Sequence, residues 1–560
     1  MEPGQSGNAD RSPTADPTSV TVPVARPASA LAPIRDYPIF RALWIAQFAS
    51  NVGTWMQTVG AQWLLIDESP LLVSLVQTAS SLPIVLLALP AGAWADLVDR
   101  RRLLLGAQVG MFLAAAVLAA STFLGAPSAA VILTLTFILG CGNAVASPAW
   151  QAIQPDLVDR AILPQAAALN GVNMNLARAV GPALGGVIVA TAGAGWVFAL
   201  NAVSFVGIAA VVARWQAPER LDQGSRERLV EALRAGGRYV RHALIVRRLL
   251  YRAILFIPAA SAVWALLPVV AARNLGLGSA GYGLLLGMVG IGAVAGALVV
   301  PRLRARLGSA QLVTWAMFVT AAATALVATL GNAVFVGLAL VPIGGAWIAV
   351  MSSLNSGLQL ALPNWVRGRG LAYYLVVFQG AQAVGAVIWG VVANRTSVTT
   401  ALLAAAAVLA LGAVLGLRTP MPDTSKLDRT PSAHWPAPQL MFTPNANDEP
   451  VLVTLTYRVP EPNAIAFTDA MRHVGRSRRR TGALRWELFR DGSDPTRFVE
   501  SYLVGTWAEH LRQHEHRLTG ADRRFEEQAQ RFALGEPEVA HLLPPPASEP
   551  TKRPRIARPL

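Results

Sequence analysis

Apolar runs of about twenty residues recur along this chain, and they confine it to one environment. A bilayer core roughly 30 Å thick is crossed by about 20 mainly apolar residues in helical form. Twelve stretches qualify, near 40–65, 72–94, 103–125, 129–150, 165–190, 194–214, 249–272, 281–301, 310–330, 332–356, 372–394 and 398–417. In lipid the backbone must satisfy its own hydrogen bonds, and runs of this length do so as helices. The expected fold is therefore an all-α membrane protein of 12 transmembrane helices. The chain is 53% hydrophobic and 14% charged, whereas globular domains carry about a quarter charged residues, so a soluble fold of this size would lack polar surface.

The charges give the orientation. Arginines gather in alternate connections: Arg100, Arg101 and Arg102; Arg160; the basic segment from Arg214 to Arg252; Arg302, Arg304 and Arg306; Arg367 and Arg369. The intervening connections are short and nearly uncharged, apart from Asp67, Glu68, Arg273 and Arg395. Cationic loops stay cytoplasmic, so both termini are expected inside, in a multi-pass protein of the inner (plasma) membrane. The same loops account for much of the +15 net charge, and nucleic acid is not needed as a partner. Residues 1–35 hold no apolar core, so they read as a disordered cytoplasmic tail rather than a cleaved signal. The single cysteine, Cys141, excludes an internal disulfide or a thiolate metal site.

The spans divide six and six into pseudo-symmetric bundles, 36–214 and 249–418, around an amphipathic linker at 215–248. In that linker Leu229, Leu233, Val240 and Leu244 alternate with arginines, as on a helix lying at the inner leaflet. The halves repeat. Gly181 to Gly186 is echoed by Gly385 to Gly390 at an offset of 204, and Gly92 before an arginine cluster by Gly296. Such six-helix repeats belong to transporters that rock about a central site. Beyond a Pro-rich linker at 419–449, residues 450–545 read as a soluble α+β domain of order βαββαβ, which is ferredoxin-like, and 546–560 form a basic tail. In that domain His510 and His514 share a helix face with His516 nearby, but no third ligand stands close and Arg512 and Arg517 oppose a cation. A solvated or interface helix is the expectation there, and no metal or cofactor is expected.

In the helical region, Gly92, Asp96, Arg100 and Arg101 form a candidate conformational gate, in which Asp96 of Gly92-Ala93-Trp94-Ala95-Asp96 either holds a helix N-terminus or pairs with an arginine across the bundle, with topogenic charge as the plainer reading. The second half has Val300 at the equivalent place. Gly181, Gly185 and Gly186 allow close helix approach and Pro182 bends the helix. Arg178 sits mid-span, where a charge costs several kcal/mol unless paired or in a watery cavity, which makes it the leading candidate for substrate or coupling contact. Asn51, Gln57, Gln77, Asn173, Gln379 and Gln382 complete the candidate set, each equally readable as glue between helices. No span has an acidic residue near its middle, so the proton-carrying group is not identifiable.

The run GAWADLVDRRR (92–102) resembles the signature loop of the major facilitator superfamily, and GPALGG (181–186) resembles its exporter-associated motif. With SPLLVSLVQTASSLPIVLLALP before the first and QAIQPDLVDRAILPQAAALNG before the second, residues 36–418 are similar to the enterobactin-exporter-like branch, also described as transmembrane secretion effectors. The resemblance implies alternating access and export of a siderophore, drug or secondary metabolite driven by the proton gradient. Residues 450–545 resemble antibiotic-biosynthesis-monooxygenase-like dimeric barrels, which implies a homodimer through that domain. The alternative is a membrane-anchored enzyme whose C-terminal domain oxidises a lipophilic metabolite or haem. The chain has no GxxxxGK[ST] phosphate loop, so ATP is not the direct drive.

Overall fold

Local capping fixes where several of the apolar runs become helices in the computed structural model. Asp99 accepts from the Arg102 amide at the start of α4 (Arg100–Phe123), and Ser128 from Val131 at the start of α5 (Ala129–Leu157). Asn332 and Ser397 do the same for α11 (Ala333–Ala361) and α13 (Val398–Arg418). These side chains satisfy amides that a helix start leaves without partners. The structure describes residues 29–125, 127–215, 229–419 and most of 421–545, apart from 422–427, 437, 439, 443 and 447–448, with backbone alone at 89, 92–97, 152, 160 and 229–233.

The remaining helices are α1 (Ala32–Asp36), α2 (Pro38–Leu64), α3 (Pro70–Leu97), α6 (Leu163–Ala192), α7 (Ala194–Arg214), α8 (Leu229–His242), α9 (Leu244–Val269), α10 (Ser279–Thr329) and α12 (Arg367–Arg395). Among the described residues ten helices are long and apolar enough to cross a membrane. The 27-residue α2 is not one of them, because Gln47, Asn51, Gln57 and Gln62 dilute its apolar character. The α10 run of 51 residues covers two of the expected spans, and its direction breaks at Gly308, whose φ of 74° suits glycine. Large apolar side chains such as Leu113, Val203, Leu298, Phe335 and Leu411 remain exposed on the helices, a surface that belongs in lipid rather than water.

Connections alternate between two ends of the bundle. One end is rich in arginine, and two of these arginines cap helices. Arg101 donates to the Val212 and Ala213 carbonyls of α7. The fully buried Arg252 donates to the Gly416 and Thr419 carbonyls that close α13, the latter at 2.9 Å. A cation at a helix C-terminus meets both the orphan carbonyls and the negative end of the dipole.

Residues 451–542 form a four-stranded antiparallel sheet of β1 (Val451–Arg458), β2 (Ala483–Arg490), β3 (Arg497–Val504) and β4 (Leu534–Leu542) in the order β2-β3-β1-β4. Helices α14 (Ala464–Thr481), α15 (Trp507–Arg512) and α16 (Gly520–Gln530) accompany it. Strand β1 alternates buried and half-buried residues, as a sheet with one covered face requires. Its core joins Val451, Val453, Phe467, Met471, Phe498 and Tyr502.

Three sequence expectations change here. Residues 1–28 and 546–560 lie outside the described residues, but the end of the supposed disordered tail forms α1, with Ala32 and Pro33 buried. The Pro-rich 419–449 linker does not hang free. Its residues 428–432 pair with 518–521, and the Ala446 carbonyl accepts from Ala508, because extended backbone next to a folded surface finds hydrogen-bond partners there. In α8 the buried stripe is Ala235, Tyr239 and, just beyond its end, Ala243, while Leu244 is exposed and Val240 half-buried. Protein covers that stripe where lipid was expected. Gly236 and Gly237 pack against Arg369 and Tyr373 of α12, and Tyr239 lies 5.7 Å from the Arg480 guanidinium of α14.

Candidate transport site and the histidine pocket

The glycines of 181–186 explain how α6 joins two neighbours. A Cβ on Gly181 would lie 2.7 Å from Trp55 Cβ, and one on Gly185 2.8 Å from Met56 Cα, so this face of α6 touches α2 nearly backbone to backbone. The next face meets the other half. A Cβ on Gly186 would lie 2.4 Å from the Ser279 carbonyl, while Ser279 Oγ donates to the Gly186 carbonyl at 3.1 Å. The Pro182 carbonyl in turn sits against Gly283. The second half repeats this arrangement. Gly385 packs on Pro258 and Ser261 of α9, and Gly390 packs on Leu71 and Ser74 of α3. Residues 204 apart thus do the same two jobs, one contact within their own half and one across to the other.

Hydrogen bonds tie the two halves together at the arginine-poor end and at mid-depth. Tyr282 donates to Gln62 Oε1 at 2.5 Å, and Gln62 Nε2 donates to the Trp264 carbonyl at 3.4 Å. Arg273 donates to the Ile66 carbonyl at 3.0 Å, and Thr78 to the Ala383 carbonyl at 3.1 Å. The buried Gln62 therefore ties α2 to α9 and α10 at once. Its position on the polar face of α2 was visible in the sequence, but its partners, some two hundred residues away, were not.

The candidate residues separate into two groups. Asn51 donates to Asn173 Oδ1 at 2.9 Å, Asn173 donates to the Trp44 carbonyl at 2.9 Å, and Gln57 accepts from Asn201. Asn173 and Gln57 are buried and committed, so they hold α2 against α6 and α7. Arg178 is half-buried with its guanidinium 5.5 Å from the Trp55 ring, its Nε has no partner, and no carboxylate pairs with it among the described residues. Gln77 donates only to Ser81 on its own helix, at 3.1 Å. Gln379 and Gln382 make no side-chain hydrogen bond among the described residues, and they flank the aromatic group Trp347, Tyr374 and Phe378 on α11 and α12. These four keep polar atoms available. The backbone of Gly92 and Asp96 is helical, but the Asp96 side chain lies outside the described ones, and Arg101 is engaged on α7. The half-buried Arg100 has a partner of its own.

The sheet domain meets the arginine-rich end. Glu509 accepts from Arg238 of α8 and from Arg517, whose guanidinium stacks 4.9 Å from the Trp365 ring. Inside the domain Arg478 is fully buried between Glu500, at 3.0 Å, and Glu526. Of the solvated or interface helix expected here, the solvated form is not what is seen: the helix lies at an interface, with its Glu509 on Arg238 of α8. His510 is completely buried, and His541 of β4 comes up beside it and His514, while His516 is exposed beside Glu515. Burial, with help from the neighbouring histidines, pushes His510 down to about 3 and His514 to about 4.

The model of a family described as transmembrane secretion effector matches residues 28–548. The enterobactin exporter of Shigella boydii is 26% identical over 400 residues, covering 68% of this chain and 92% of that protein. The staphyloferrin A transporter of Staphylococcus aureus is 32% identical over 164 residues, 29% of this chain and 41% of that relative. Among solved structures, a POT family transporter in complex with a thioalcohol-conjugated peptide superposes with a TM-score of 0.57 at 12% identity, covering 68% of this chain and 95% of the other. An inward-facing bacterial homologue of the lysosomal transporter Spinster gives 0.54 at 13%, covering 68% and 97%. At such identities the likeness concerns the fold.

Proposed function

Since the chain belongs to the transmembrane secretion effector family, it is a multi-pass membrane transporter of small molecules, and we propose that it is a proton-driven exporter working by alternating access. In this reading α2 and the two segments of α10 join the other long helices to make twelve crossings, in bundles 36–214 and 249–418. The arginine-rich end faces the cytoplasm with both termini, as cationic loops do, and residues 450–545 form a ferredoxin-like domain beneath it. The cargo is a siderophore, drug or secondary metabolite, in keeping with the names of the relatives.

One observation carries the reading. The two halves are locked at the arginine-poor end through Gly186, Ser279, Gln62 and Tyr282, while Arg178, Gln379 and Gln382 keep uncommitted polar atoms deeper in the bundle. A site sealed on one side and unsaturated below the seal is what rocking bundles need for an inward-facing state. Arg178 over Trp55 suits an anionic or aromatic cargo, and Gln77, Gln379 and Gln382 are the further polar candidates of the cargo path. Gly92, Asp96, Arg100 and Arg101 are the proposed gate at the cytoplasmic end.

Everted membrane vesicles energised by respiration test this directly. Accumulation of a catecholate or carboxylate siderophore that an uncoupler abolishes is the expected result. Accumulation indifferent to the uncoupler refutes proton coupling, and none for any siderophore or drug refutes export.

A further inference from the structure

The C-terminal domain holds a cluster that the transport reading does not use. His510 lies on α15, His514 one turn later in a π-helical segment from Gln513 to Arg517, and His541 on β4 opposite Val453 of β1. One ring nitrogen from each falls within 4.8 Å of the other two. The Nε2 atoms of His510 and His514 stand 3.2 Å apart. Two imidazoles bound to one tetrahedral dication at about 2.0–2.1 Å have nitrogens roughly 3.3 Å apart, so this pair already stands at ligand spacing. The π turn brings this about by re-aiming His514 relative to an ordinary i, i+4 partner, and such turns recur at functional sites.

We propose that His510, His514 and His541 form a three-imidazole site for a borderline transition-metal dication such as Zn2+, with the fourth coordination position left to water or an exogenous ligand.

Two features of the surroundings fit. The nearest arginines are paired with carboxylates, which offsets the charge that would oppose a cation. Arg478 is outnumbered by its partners Glu500 and Glu526, and Arg517 is committed to Glu509 and to Trp365. The walls are aromatic, with Trp435 centred 4.8 Å from His514, and Trp507 5.3 Å from His510 and 5.9 Å from His541. An all-nitrogen donor set in such a pocket selects zinc, cobalt, nickel or copper over calcium or magnesium, which want oxygen. His541 is the ligand that the sequence hides, since it lies 27 residues beyond His514 and reaches the cluster only through the pairing of β4 with β1.

The test uses the full-length protein in detergent, with any affinity tag removed, stripped with chelator and titrated with Co2+ at neutral pH. One Co2+ per chain with the visible d–d absorption of a four-coordinate ion, displaced by one Zn2+, is expected. His541→Ala should weaken binding at least about a hundredfold, beyond the 10–100-fold that loss of a second-shell partner causes, while His516→Ala binds like wild type. Because His541→Ala could loosen the sheet, His541→Cys serves as the second variant: it retains Co2+ and adds a thiolate-to-cobalt charge-transfer band only if residue 541 is a ligand. Wild-type protein that takes up no stoichiometric Co2+, or a His541→Cys protein that binds without the new band, would overturn the proposal.

Discussion

Replacing Gly186 by alanine adds one methyl at the point where the two halves touch. That Cβ would sit 2.4 Å from the Ser279 carbonyl oxygen and 2.9 Å from Gly283 Cα. Both are backbone atoms, so no side chain can swing away, and the helices must separate by about 1 Å to restore ordinary contact. Overpacking of this kind costs roughly 1–3 kcal/mol, here charged only to the state in which α6 and α10 are in contact. The sealed conformation should lose population relative to the open one by a factor of about 5–150, and the Ser279 to Gly186 hydrogen bond of 3.1 Å should be lost with it. Spin labels at Leu124 and Val334, exposed near the arginine-poor end in opposite halves, with Cys141 replaced by serine, report the separation by double electron–electron resonance. The expected result is a shift of the distance distribution to longer values, with Gly171→Ala as the control, because nothing lies within 4 Å of a Cβ there. An unchanged distribution in folded Gly186→Ala protein would refute the argument that this glycine holds the seal.

Three further outcomes follow from the geometry. Arg178→Ala should cut transport by tenfold or more while membrane insertion and thermal stability persist, because the guanidinium has no carboxylate to leave behind; unchanged transport would make the residue structural only. Asn173→Leu and Gln382→Leu should separate: the first strands Asn51 and the Trp44 carbonyl and lowers stability by about 1–3 kcal/mol in thermal unfolding, while the second leaves stability alone and raises the half-saturating cargo concentration in vesicles. Finally, His510 and His514 lie well below the ordinary histidine value of about 6.5. Unfolded chains then bind more protons than folded ones below that value, so the domain keeps its full stability above pH 6.5 and loses it as the pH falls towards 4. By pH 5 the loss is on the order of 2 kcal/mol for the buried His510, and less for the more exposed His514, whose charge water screens. With chelator present, hydrogen exchange of 451–458 and 507–517, corrected for intrinsic rates, should accelerate between pH 7 and 5; equal protection at both values would contradict the burial of neutral imidazoles.

What was legible in the sequence depended on the range of the signal. The helical runs, the break between 281–301 and 310–330, the strand at 451–459 and the paired glycines at 181–186 and 385–390 all arise from local periodicity or internal repetition. Their structural counterparts match within a few residues. The polar residues of α2 and α6 were legible as candidates but not by task. Asn51 and Asn173 proved to be partners of each other, Gln57 of Asn201, and Gln62 of Tyr282, whereas Arg178 and Gln379 kept free polar atoms. Sequence reports that a side chain is polar; only its neighbours decide whether its hydrogen bonds are already made.

The sequence by itself determined that this chain lives in a membrane, how its two halves correspond, and where a sheet domain follows, because hydrophobicity, charge asymmetry and repeat spacing are properties of the chain alone. The tertiary structure decided the rest. It laid the Pro-rich segment along the sheet domain, covered the stripe of α8 with protein, sealed one end of the bundle through Gly186 and Gln62, and carried His541 to His510 and His514. Each of these is a contact between residues remote in the chain, set by how helices and strands pack, and no local pattern encodes it.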